Sequence, residues 1–144
     1  MSQNPLIEVL EANHLLRSPD EVALFEQTLE KLAQNPDSSD LPSLHLILDD
    51  ACEHPEVMFG LVHFLESFDV QEQVQAFIQV MPELVKRATE WAAILHSRIM
   101  NDDVARSVFE ERVRSVSDQE QSDLRRLLSL TSTKTASEQM IQVA

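Results

Sequence analysis

The densest group of reactive side chains in the chain is Asp49-Asp50-Ala51-Cys52-Glu53-His54-Pro55-Glu56. Three chemistries use such residues: metal ligation, attack by an activated thiol, and capture of a cationic partner on carboxylates. Metal binding fits poorly, because Cys52 is the single cysteine and no HExxH pair of histidines is present. His45 and Asp49 are four residues apart, and a metal-dependent hydrolase built on His45, Asp49 and His54 is the enzyme alternative. A nucleophilic Cys52 would need a base beside it, yet its neighbours are anions, which raise a thiol's pKa. His14, His63 and His96 fall within apolar helical stretches, where a hydrogen-bonded histidine is the ordinary outcome. One glycine, Gly60, rules out a glycine-rich phosphate loop. The expectation is a protein that is not an enzyme, with no catalytic residue, cofactor or metal.

Capture of a cation remains, and the charge distribution favours it. Up to Glu83 there are sixteen acidic residues against two basic ones, Arg17 and Lys31. From Leu84 onward nine acids face nine bases, so the whole net charge of −14 belongs to the first 83 residues. Such a field repels nucleic acid and anionic membrane and attracts basic surfaces. The candidate partner-binding residues are Asp49, Asp50, Glu53 and Glu56, followed by Glu66, Asp69 and Glu72. Read as a helix end, Asp49, Asp50 and Glu53 oppose the macrodipole, a small cost that local stability does not explain, while Glu56 favours the start of the next helix. The plainer alternative is a solvated helix end. Arg98, Arg106, Arg112, Arg114, Arg125 and Arg126 gather in the second half. Arg98 with Asp102, Asp102 with Arg106, and Glu110 with Arg114 have the spacing of ion pairs rather than of a phosphate site.

Helices must position these groups. A single glycine and no tyrosine argue against sheet, and the periodicity is helical almost throughout. The first helix is expected over about Gln3–Leu16. Ser18-Pro19-Asp20-Glu21 then caps a second, carrying Val22, Phe25, Leu29 and Leu32 to Asn35-Pro36. A third runs from Asp40 to near Glu53 with Leu44, Ile47, Leu48 and Ala51 inward, stopped by His54-Pro55. The fourth buries Met58, Leu61, Val62, Leu65 and Phe68, and its Gly60 suggests close approach of a neighbouring helix. Asp69 caps the fifth, in which Pro82 either makes a kink or starts a short continuation. Thr89-Glu90-Trp91 opens the sixth, ended by a left-handed Asn101, with Asp102 or Asp103 capping the seventh. Ser117-Asp118-Gln119-Glu120 starts the eighth.

The expected fold is therefore all-α, about eight helices as stacked antiparallel helical hairpins in a short HEAT-like array. Residues 1–130 form a single domain, and 131–144 a loosely ordered tail. No apolar run is long enough for a membrane span, no signal peptide is evident, and a lone cysteine suits a reducing compartment, so a cytoplasmic location is expected.

The stretches Leu46-Ile47-Leu48-Asp49-Asp50 through His54-Pro55-Glu56, Phe59-Gly60-Leu61 to Phe64-Leu65-Glu66, and Trp91 to Asn101 resemble the immunity protein 30 family, over roughly residues 20–130. Its members accompany bacterial polymorphic toxins, including contact-dependent growth inhibition systems. The resemblance implies an all-α cytosolic antidote that binds a cognate toxin domain, often a nuclease with a basic cleft. It names no contact residues. The alternative is a helical-repeat adaptor for protein–protein interaction without a toxin partner.

Overall fold

The computed structural model describes residues 4–143, and side chains over residues 4–130. Among the described residues there are eight α-helices, one 3-10 turn and no strand. In order they are α1 (Pro5–Ala12), α2 (Pro19–Gln34), a 3-10 turn (Ser38–Asp40), α3 (Leu41–His45), α4 (Pro55–Glu66), α5 (Val70–Arg87), α6 (Thr89–Met100), α7 (Asp103–Ser115) and α8 (Asp118–Val143).

Each helix packs on its successor or on the one after it: α1 on α2, α2 on α4, α3 on α5, α5 on α6 and α7, and α6 on α7 and α8. Contact between elements two apart is what layering of helical hairpins produces. One continuous core runs through the stack, from Ile7 and Leu10 through Phe25, Met58 and Phe77 to Leu124.

Local chemistry accounts for most helix starts. Ser18 accepts from the Glu21 amide at 3.2 Å, while the Glu21 carboxylate reaches back to the Arg17 amide at 2.8 Å. The reciprocal pair of a capping box is thus displaced by one residue. Asp69 accepts from the amides of Gln71 and Glu72, and Asp102 from those of Val104 and Ala105. Pro82 lies inside α5, which continues past it to Arg87.

Several sequence expectations change. The first helix stops at Ala12, and Leu16 lies beyond it with φ of 54°, fully buried. The left-handed conformation costs a non-glycine residue about 1–2 kcal/mol, and burial of a leucine side chain offsets it. The third helix is a single turn ending at His45, so residues 46–54 form a loop. Asn101 has φ of −87° and ends α6 without a left-handed turn. A Cβ on Gly60 would meet Leu29 Cδ1 at 3.6 Å, an ordinary contact with α2 rather than a forced approach. α8 extends to Val143, which leaves the expected loose packing of 131–144 untouched. The side chains of 131–144 lie outside the described residues.

Candidate functional site

The loop between α3 and α4 carries Asp49, Asp50 and Glu53, and Glu56 lies in the first turn of α4. Besides Asp50, three ties hold the loop to the rest of the fold. The Glu53 amide donates to the Leu15 carbonyl at 2.9 Å. His14 Nε2 meets Asp49 Oδ2 at 3.0 Å, and its Nδ1 meets the Glu11 carbonyl at 2.6 Å. The Trp91 indole N–H donates to the Asp49 carbonyl at 3.1 Å, with its ring edge-on to Phe59 at 5.1 Å.

Asp50 has the most specific task. Its Oδ2 accepts from the Glu90 amide at 3.0 Å and its Oδ1 from the Trp91 amide at 3.2 Å. α6 has no side-chain cap of its own, because Ala88 occupies the N-cap position. A carboxylate from forty residues earlier therefore caps it. Without a helix end at residues 49–53, the supposed opposition to a macrodipole disappears. Asp50 instead faces the positive end of α6, where a carboxylate is favourable.

Glu53 and Glu56 are exposed, and His54 Nδ1 meets Glu56 Oε1 at 3.1 Å. Cys52 is buried, and burial, then the charge of Asp49, push its thiol pKa up. That keeps the sulfur protonated and unreactive at neutral pH. Among the described residues no three His, Cys, Asp or Glu side chains converge on a point that could hold a metal ion. His45 turns into the core, where its Nδ1 donates to the Leu41 carbonyl at 2.8 Å.

The other three candidates lie at and past the far end of the twelve-residue α4, about 18 Å away by helical rise. The seven carboxylates thus form two groups, not one patch. Asp69 caps α5, and Glu72 is exposed in its first turn. Glu66 forms a two-pronged pair with Arg98, at 2.6 Å to Nε and 2.7 Å to Nη2. Arg98 thereby ties α6 to α4 rather than to the α6–α7 turn expected from spacing. Arg106 pairs with Asp103, and Arg112 reaches Gln71 and Gln75 of α5.

Beside Glu66 a cleft of about 460 Å³ opens where the α4–α5 and α6–α7 turns meet. Sequence reasoning missed it, since its walls come from four helices and no local spacing brings them together. The absence of a cap residue before Thr89 was the one readable sign that α6 needed a partner such as Asp50.

A layered array of helical hairpins, without a strand among the described residues, defines the class: an all-α protein. The immunity protein 30 family matches residues 12–109, and the chain belongs to that family. Membership carries toxin immunity as the role and a cognate toxin as the implied partner. The matched region begins at the end of α1, ends within α7, and leaves α8 outside. No curated protein and no solved structure matches the chain.

Proposed function

We propose that this protein neutralises the toxin domain of a cognate effector by occlusion, docking its acidic surface on a basic substrate-binding cleft. The toxin is a nuclease, whose cleft must be cationic to hold its substrate. The protein acts in the cytoplasm of the cell that makes it, within a contact-dependent growth inhibition system, and catalyses nothing. The observation that carries this reading is the confinement of all net negative charge to the first 83 residues.

Within that surface the carboxylates divide by task. Asp49, Asp50 and Asp69 accept hydrogen bonds from the fold and hold the frame. Glu53, Glu56 and Glu72 are exposed and supply the contacts with the toxin, with Glu66 at the edge. Opposite charges steer the encounter and raise the association rate, while a few desolvated contacts slow release.

The test is association with the toxin encoded beside this gene, measured from about 20 mM to about 500 mM salt. The on-rate should fall at least tenfold or so across that range. Glu53→Lys, Glu56→Lys and Glu72→Lys together should lower it further at low salt, with folding unchanged. An on-rate indifferent to salt and to these reversals would sink charge-steered occlusion.

A further inference from the structure

The cleft at the α4–α5 and α6–α7 turns sets two carboxylates and two amides beside an apolar wall. Glu66 and Asp102 contribute carboxylates, and Gln73 and Asn101 contribute amides. Both capping bonds of Asp102 go to Oδ1. Glu66 receives one hydrogen bond from Arg98 on each oxygen, and a carboxylate oxygen has two lone pairs. The only cation in the lining, Arg98, is already matched by Glu66, so the local charge is negative. Val70, Ile99 and Ala105 supply an apolar wall.

Beneath this cleft is a smaller pocket that shares Glu66, Gln73 and Ile99 with it and is lined by His45. His45 is only 2% exposed, and its Nδ1–H is committed to the Leu41 carbonyl. Nε2 therefore carries a lone pair. Burial lowers the imidazole pKa to about 4, so the ring is neutral and accepting at physiological pH. Two carboxylates beside an apolar wall suit a side chain that brings several N–H groups on an apolar stem.

We propose that the cleft receives one arginine side chain of the toxin, its guanidinium between Glu66 and Asp102 and its methylenes against Val70, Ile99 and Ala105. The assignment rests on the basic partner proposed above and adds an anchor to it. A guanidinium is chosen over an ammonium because its planar fork serves two carboxylates at once. An anionic side chain would meet two carboxylates and the field of the acidic half.

The probe is Nα-acetyl-arginine methylamide, titrated into the isotopically labelled full chain and followed by amide chemical shifts. Its uncharged citrulline counterpart is the control. Saturable shifts are expected at Gln73, Asn101 and Ala105 with the arginine compound alone. Asp102→Asn keeps the cap of α7, since asparagine caps as well as aspartate. It should weaken the probe roughly tenfold. Asn101→Lys, at an exposed position, places an ammonium in the cleft and should abolish the shifts while leaving distant amides unmoved.

No shift at these amides, an equal response to citrulline, or equal shifts along Glu26 and Glu30 of α2 would each overturn the proposal. The toxin itself gives the second arm, where Asn101→Lys should weaken the complex at least tenfold or so. Equal binding by wild type and Asn101→Lys overturns the cleft assignment and leaves occlusion intact. Failure of the wild type to bind the toxin overturns the occlusion reading, and with it the owner of the arginine, whatever the probe does.

Discussion

Asp49 and Asp50 are adjacent and chemically alike, yet each is directed to a different part of the fold. Asp49 holds α1 through His14, and Asp50 caps α6. Asp50→Ala should therefore lower stability by about 1–2 kcal/mol, the usual loss for a missing N-cap, whereas Asp50→Asn should retain most of it. Urea unfolding of the three proteins decides this, and equal midpoints would return Asp50 to a purely external role. His45 sets a second test at this scale. Its folded pKa of about 4 lies below the ordinary 6.5, so on acidification the unfolded chain takes the proton first. Its contribution is complete above about pH 6.5 and is lost as pH falls towards 4, on the order of 3 kcal/mol in all. Carboxylates titrate near the lower limit, so the difference between wild type and His45→Gln isolates the imidazole. The variant's stability should fall less steeply between pH 7 and 4.5. Parallel curves would mean that the ring is not buried in the neutral form.

Helix existence was legible because apolar residues at 3- and 4-residue steps have few other ways to share one core. The starts at Ser18, Asp69 and Asp102 were legible for a local reason, since an N-cap bonds amides two or three residues on. What failed was non-local. Leu44, Ile47 and Leu48 have helical spacing, but after His45 the chain turns to deliver Asp50 to α6 and bury Cys52, leaving Ala51 exposed. Arg98 had Asp102 four residues on, yet its partner is Glu66, thirty-two residues earlier. The sequence places the candidate carboxylates along the chain but not in space, where α4 separates them into two groups. Gly60 allows a test at the same scale. Its place inside α4 lowers helix stability, and a methyl there would make ordinary contact with Leu29. Gly60→Ala should raise stability by about 0.5–1 kcal/mol. Thermal unfolding checks this, and a lower midpoint would show that α2 leaves no room for the methyl.

For the whole molecule the imbalance of charge has two consequences of opposite sign. Sixteen acids against two bases over α1 to the middle of α5 repel one another in the folded state, and most of them are exposed. The attractive pairs at the surface, Arg17 with Glu21 and Arg98 with Glu66, are individually small and solvent-screened. Repulsion should therefore dominate the salt response. The Debye length shrinks from about 30 Å at 0.01 M to about 8 Å at 0.15 M, which removes mutual repulsion between successive helices before it weakens contact pairs. At pH 7 the melting temperature should rise by several degrees over that range with sodium chloride. Association with the basic toxin proposed above should slow over the same range. On the occlusion proposed above, one field weakens the free protein slightly and speeds its encounter with the toxin. A melting temperature that falls with salt would mean that contact pairs outweigh repulsion, and the acidic half would then lack the unbalanced field on which steering depends.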